Sequence, residues 1–260
     1  MSALAADRIR MRREEKRTVG PFAVFANAEW EGEFPGLSAG ITAAAPRADF
    51  GLGTAPSPLL LLQRYEALAA GLGFESVVVC RQVHGSRVVG VEAPVPRGFH
   101  SPGEGDGLAC EVRGVLLVVT AADCVPVYLL DPVSRALVLL HAGWRGTASG
   151  VLEAGAWLLA TRVAAPPGRL FLHLGPAICG GCYEVGGEVL AAMGRPGVER
   201  GRVDLRDELT SRALSLGMDG QGISRSPWCT RCESGLFHSH RARGESAGRM
   251  AAYLGWRSAP

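Results

Sequence analysis

Between Gly114 and Ala142 the chain runs through three apolar stretches, VLLVVTAA, VPVYLL and ALVLLHA, parted only by Asp123-Cys124 and by the segment Asp131 to Arg135. Short apolar runs that do not alternate with polar residues suit central strands, and runs this short are strand-sized rather than helix-sized. Pro132 fits the second position of a β-turn over 131–134, because its fixed φ matches that position. A hairpin folded about that turn sets Cys124 opposite His141, with Cβ atoms about 4.5–5.5 Å apart for a directly opposed pair. A cysteine and a histidine would then meet at the open end of an apolar ladder, followed at once by Gly143-Trp144-Arg145-Gly146.

The rest of the chain supplies both helices and strands. Ser57 is placed to cap a helix through Ala70, and SVVVCRQV, residues 76–83, reads as a strand that delivers His84 at its exit. FAVFAN and SAGIT are short strand-like pieces, and RLFLHLG reads as another strand. Thr147 is placed to cap a helix through Val163, GGEVLAAMG reads as a short helix, and LRDELTSRALSLG reads as an amphipathic helix ending at Gly217. The Pro- and Gly-rich segment 93–107 reads as a surface loop. Strands and helices alternate without a strict βα period or a GxGxxG, so the expected class is a mixed-sheet sandwich, α+β (mixed β-sheets flanked by helices) or α/β, rather than a dinucleotide-binding fold. Residues 1–18 read as a flexible tail and 19–260 as a single domain.

The bulk properties exclude several function classes. At 260 residues with 47% hydrophobic content the chain can bury a large core. A net charge of +2 gives no reason to expect nucleic acid or a membrane surface as partner. The first residues carry no apolar run of the secretory type, and no stretch reaches the roughly 18 apolar residues of a membrane span. The expectation is a soluble cytoplasmic protein, in which the 7 cysteines are reduced thiols, packed or metal-binding.

Thiolate sulfur and imidazole nitrogen are preferred zinc ligands, and a catalytic zinc site uses three protein ligands with a fourth position open. Cys124 and His141 supply two. His84, at its own strand exit beside Gly85, is the candidate third. The residue types alone leave the alternative open, with Cys124 packed as a small apolar side chain and the histidines hydrogen-bonded at strand ends. A second set, Cys179-Gly-Gly-Cys182 and Cys229-Thr-Arg-Cys232, has the local spacing of a four-thiolate site, although the intervening segment is longer than a compact zinc ribbon uses. Packed or partly exposed thiols are the other reading of that set.

The segments RQVHGSRV, DGLAC, TAADCVPVYLLDP, LLHAGWRGT, GPAICGGCYEVG and GRMAAYLG occur in the order found in the YfiH-like family, also called the laccase-domain or polyphenol-oxidase family. The resemblance extends from about Gly40 to Leu254. It implies a YfiH-like sandwich and one zinc ion at His84, Cys124 and His141. It also implies phosphorolysis of adenosine, inosine and methylthioadenosine with inorganic phosphate as co-substrate, and adenosine deamination as a side activity. Among these residues Arg145 suits the phosphate, because a guanidinium binds such oxyanions bidentately. Asp123 is a candidate base or orienting group, and Gln82, Asp106, Glu184 and Arg241 are candidate lining of the nucleoside pocket.

The chain departs from the family near Thr42, where an expected arginine is missing and Arg47 is the nearest replacement. It departs again at FHSHRAR, where His238 and His240 replace aromatics. Three further readings compete. One is copper-dependent phenol oxidation. Another is a Cys124–His141 hydrolase tied to cell-wall precursor editing. The third is a zinc-stabilised binding protein without turnover.

Overall fold

The computed structural model of the chain describes residues 9–45, 48–55 and 57–258. Arg47 lies outside them. Two seven-stranded mixed sheets dominate. The first runs, edge to edge, through Arg10–Met11, Ile223–Arg225, Phe171–Leu174, Val125–Leu130, Leu137–Ala142, Gly107–Cys110 and Val88–Val91. The second runs through Glu15–Val19, Phe22–Ala26, Leu37–Thr42, Met250–Trp256, Val115–Ala121, Ser76–Val79 and Gly98–His100.

The unbroken apolar runs follow from covering both faces of each sheet. Along Val125–Leu130, Val125, Val127 and Leu129 pack in one core with the helices Val151–Val163 and Leu205–Ser215, while Tyr128 and Leu130 point into a second core between the sheets. Val115, Leu117 and Val119 share that inter-sheet core, and Leu116 and Val118 turn outward to a third, beneath the helix Pro58–Gly71. Each such aliphatic side chain contributes about 1.5–3 kcal/mol on burial. The result is the expected mixed-sheet sandwich flanked by helices, with the chain passing from the second sheet to the first at residues 122–124.

Four local expectations are corrected. The hairpin register differs: Pro126, not Cys124, pairs with His141, because Leu130 pairs with Leu137 and the turn spans 131–136. Asp131 causes this, since its carboxylate accepts from the Ser134 amide at 3.0 Å and from Arg169 Nε at 2.7 Å, and Arg135 adopts a φ of 63°. A two-residue shift leaves every side chain on its original face, so hydrophobic alternation cannot distinguish the two registers. The helix expected from Thr147 to Val163 is two helices, Trp144–Ala148 and Val151–Val163, broken at Gly150 with φ 82°. The strand expected to reach Val83 ends at Val79.

Residues 10–18 of the expected tail are also built in. Arg10–Met11 joins the first sheet, Glu15–Val19 joins the second, and Glu14 is buried between them. The Glu14 carboxylate meets His173 Nε2 at 2.9 Å and accepts from Ser226 Oγ at 2.8 Å. A polar, charged stretch gave no apolar signal, and its anchor is a buried hydrogen-bond network instead. Among the described residues no helix is long and apolar enough to cross a membrane.

Candidate metal and substrate site

Cys124 and His141 lie at the same end of the inter-sheet space, where the chain changes sheets, and His84 reaches them from the second sheet side. The ligand atoms of His84, Cys124 and His141 all fall within 4.8 Å of one another. With the observed register the residue opposite Cys124 is Gly143, where a side chain would crowd the cluster. A Cβ there would stand 3.0 Å from the Cys124 sulfur and 3.2 Å from His84 Cδ2, closer than ordinary van der Waals contact to two of the three candidate ligands. Two residues at the cluster hold positive-φ backbone conformations uncommon outside glycine, His84 with φ 60° and Asp123 with φ 86°. Such conformations persist where the surroundings fix them, and they concentrate at functional sites.

Asp106 is what fixes His84. Fully buried, it accepts hydrogen bonds from the amides of Val83 at 3.1 Å, His84 at 2.9 Å and Gly85 at 2.7 Å, and its Oδ1 also receives His141 Nδ1 at 2.9 Å. One carboxylate therefore places the backbone that presents one imidazole and sets the ring of the other, leaving His141 Nε2 for the cluster. This is the usual arrangement around a metal-ligating histidine. Burial alone would raise the Asp106 pKa, but the His141 bond and the backbone amides hold it below the ordinary carboxylate range.

The electrostatics of the cluster suit a cation. Burial would push the Cys124 thiol up, but the charge and hydrogen bond of His141, with a further bond from His84, bring it down to about 6. Burial would lower His141, but Cys124 and Asp106 raise it to about 9. Each member of the pair thus favours the charged form of the other, thiolate on Cys124 and imidazolium on His141, with one buried carboxylate behind them.

A cavity of about 580 Å³ opens on this cluster, a size typical of small-molecule sites. Arg145 and Arg241 both line it, each with its guanidinium over an aromatic ring: Arg145 4.2 Å from the centre of Trp144, Arg241 5.2 Å from that of Tyr183. Burial pushes the Tyr183 phenol up to about 12, so it stays a neutral donor at the cavity wall.

The remaining expected site residues divide. Gln82 lines the cavity, but its amide is committed at both ends to Thr120, donating to the carbonyl at 2.8 Å and accepting from the amide at 2.6 Å. Asp123 lines it too, with one carboxylate oxygen accepting from Thr230 Oγ1 and the other from the Arg241 amide, both at 2.6 Å. Asp123 thus ties two distant loops to the residue before Cys124. Asp106 and Glu184 are not lining residues. Glu184 acts through its main chain, its carbonyl accepting from Arg241 Nη1 at 2.7 Å while its carboxylate stands 3.4 Å from Arg200.

Of the two histidines that depart from the family pattern, His240 lines the cavity, whereas His238 is buried with both ring nitrogens unpartnered among the described residues. Sequence reasoning missed Tyr183, Thr120, Arg249 and the wall formed by Phe50 and Thr54. Arg249 and Tyr183 stand inside motifs that carried the resemblance, which was the available signal. Phe50 and Thr54 come from an irregular loop with none.

Residues 36–257 match the family described as "Multi-copper polyphenol oxidoreductase laccase". The chain is 33% identical to purine nucleoside phosphorylase YlmD of Geobacillus stearothermophilus over 251 residues, covering 88% of this chain and 86% of that protein. It is 30% identical to adenosine deaminase RL5 from an unknown prokaryotic organism, covering 70% and 76%. Among solved structures it superposes on the Bacillus licheniformis hypothetical protein YfiH with a TM-score of 0.82 at 25% identity, covering 93% of this chain and 99% of that one. By the extent of the family match, the likeness to these relatives and the shared fold, the chain belongs to the multi-copper polyphenol oxidoreductase laccase family and is similar to its YfiH and YlmD proteins.

Proposed function

We propose that this protein is a zinc-dependent purine nucleoside phosphorylase acting on adenosine, inosine and methylthioadenosine, with adenosine deaminase side activity. The observation that carries this reading is the three-ligand His84, Cys124 and His141 set at the wall of a nucleoside-sized cavity that also presents Arg145 and Arg241. The names of the relatives favour the same chemistry.

The residues fit a catalytic zinc. Two imidazoles and one thiolate are borderline-soft donors, the fourth side is open, and Asp106 orients both histidines. Bound there, the ion supplies Lewis acidity at the cavity wall, and an activated water for deamination.

The chain's own groups supply the rest. Arg145 and Arg241 hold inorganic phosphate through charge-assisted hydrogen bonds and bring it to the anomeric carbon of the ribose. In phosphorolysis a phosphate oxygen bonds to that carbon as its bond to the purine nitrogen breaks. The base leaves with a proton and the sugar leaves as its 1-phosphate. Tyr183 and His240 offer polar contacts on the same wall, and the buried Phe50 and Tyr65 back the cavity from the core. Asp123 keeps the Arg241 loop in register with Cys124.

The family description raises copper-dependent phenol oxidation as a second reading. A His₂Cys set is a donor set that copper accepts, but an oxidase of several coppers needs many more imidazoles. Of the 6 histidines only His84, His141 and His240 line the cavity, while His173 is bound to Glu14 and His100 to the Pro96 carbonyl. The residue supply favours zinc. The deciding measurement is base release from adenosine and inosine with and without phosphate, alongside zinc and copper content and phenol oxidation on the same sample. Phosphate-dependent base release by a zinc-loaded protein supports the proposal. A zinc-loaded protein that releases no base, or a copper-loaded one that oxidises phenols, overturns it.

A further inference from the structure

The second cysteine set lies apart from the cavity: none of Cys179, Cys182, Cys229 and Cys232 lines it. These residues are 47 positions apart between the two pairs in sequence (Cys182 to Cys229), yet their four sulfurs fall within 4.8 Å of one another. All four are free thiols, and the sulfurs of Cys182 and Cys232 are 3.5 Å apart. A tetrahedral shell with zinc–sulfur bonds of about 2.3 Å has edges of about 3.8 Å, a value between the 3.5 Å of Cys182–Cys232 and the 4.8 Å within which all four sulfurs lie, so a cation at the centre needs only small adjustments.

The backbone around the sulfurs is arranged as it is around thiolates that ligate a metal. Cys229 Sγ accepts from the Cys179 amide at 3.3 Å and from the Cys232 amide at 3.5 Å. Such bonds favour sulfur in its anionic form, and a pair of packed neutral thiols has no need of them. Each Cys-x-x-Cys forms a tight turn: the amides of Cys182 and Tyr183 both bond to the Cys179 carbonyl, and that of Glu233 to the Cys229 carbonyl. The two turns are set side by side by a parallel bridge between Ala177 and Cys229. Neither turn offers a carboxylate or an imidazole to the group of four, so the donor set is sulfur alone.

We infer that Cys179, Cys182, Cys229 and Cys232 form a second metal site, a closed four-thiolate site for zinc that is structural and separate from the His84, Cys124 and His141 site. A four-sulfur tetrahedron leaves no position for substrate. On binding, the four thiols release their protons to solvent and no electron is transferred. What the site holds together is a wall of the cavity. The Cys179–Cys182 turn leads directly into Tyr183 and into the Glu184 carbonyl that grips Arg241, and the Cys229–Cys232 turn contains Thr230, which donates to Asp123.

The inference stands independently of the proposed activity, and metal counting tests it without any turnover assay. Protein purified without chelator and under reducing agent is analysed for zinc per chain as wild type, Cys124→Ala, and the Cys182→Ser/Cys232→Ser double variant. About two equivalents are expected in wild type and about one in each variant, and cobalt reconstitution of Cys124→Ala should give the intense visible bands of tetrahedral cobalt–thiolate. Native alkylation of the wild type, mapped by mass spectrometry, is run in parallel and tests the site even where the double variant does not fold. All four thiols should be protected until chelator is added. A metal-free Cys124→Ala variant, thiols that alkylate equally fast before and after chelation, or a Cys182–Cys232 disulfide in the reduced preparation would each overturn the inference.

Discussion

The two sulfur-bearing clusters of this molecule are built from the same element but by opposite rules. At His84, Cys124 and His141 the donors are mixed, one buried carboxylate organises two of them, and the fourth side faces a cavity of about 580 Å³. At the four cysteines the donors are uniform, backbone amides rather than a side chain support the sulfur, and none of the four lines that cavity. Mixed ligation with an open side suits chemistry, and uniform closed ligation suits holding loops together. The contrast also lies in the backbone. The first cluster sits on residues forced to positive φ, His84 and Asp123, whereas the second sits on two hydrogen-bonded turns. Strain has been accepted where a position must be held open, and avoided where the purpose is rigidity.

The comparison breaks most visibly if Cys124 is not a ligand. Replacing it by Ala should remove one metal and lower nucleoside turnover by about a thousandfold, the loss of several kcal/mol of transition-state stabilisation. Steady-state kinetics and metal content on one preparation check both parts. Turnover retained in the face of metal loss would assign the chemistry elsewhere.

Asp106→Asn tests the carboxylate that distinguishes the first cluster. It should weaken metal affinity about 10–100-fold, the usual range for a group that orients a metal-binding histidine, measured by competition with a chromophoric chelator. The metal-free protein provides a companion reading. With Cys124 near pKa 6, its alkylation rate should be flat above that pH and fall as pH drops through it, because protonation removes the thiolate. In Asp106→Asn the midpoint should move upward, since the neutral amide no longer supports His141 as a cation.

Arg145→Ala should raise KM for phosphate by about tenfold, as expected for losing one charge-assisted contact of about 1.5 kcal/mol, while leaving the metal content of both clusters unchanged. A phosphate-independent effect would move Arg145 from the anion to the aromatic wall it shares with Trp144. The smallest effect on catalysis is expected from Cys182→Ser/Cys232→Ser, about threefold in KM with little change in kcat, because a looser wall weakens binding more than chemistry. Its thermal effect should be larger, roughly 5–10 °C in Tm, or about 3 kcal/mol for a chain of this size. Calorimetry with and without chelator separates the two.

Much of the first cluster was legible in the sequence because strand ends are legible. Apolar runs bounded by turn residues gave the hairpin, and Cys124 and His141 stand where those runs stop, whereas His84 lies five residues beyond the end of its strand at Val79. The register was misplaced by two residues without harm to the conclusion, since a shift of two preserves the face of every side chain. Its one consequence was hidden: Gly143, rather than His141, stands opposite Cys124 and leaves the space the ligands fill. The helix after the HAGWRG segment was misread for a related reason. Thr147 has capping chemistry, but Gly150 in the left-handed region sets the break instead.

By itself the sequence determined central strands buried on both faces, because such burial demands unbroken apolar runs, while the sandwich rested on the family resemblance, and it determined which residues could bind a metal, because ligand chemistry resides in side-chain type. Only the tertiary structure decided their roles. Asp106 became an orienting group rather than pocket lining because folding buried it against three amides and an imidazole. Glu184 and Gln82 were drawn into main-chain contacts that their identities did not announce. The two cysteine pairs came together because a single bridge at Ala177 and Cys229 aligned turns far apart along the chain. Local pattern is written in short-range chemistry, whereas proximity between distant segments depends on how whole sheets pack, which no short stretch encodes.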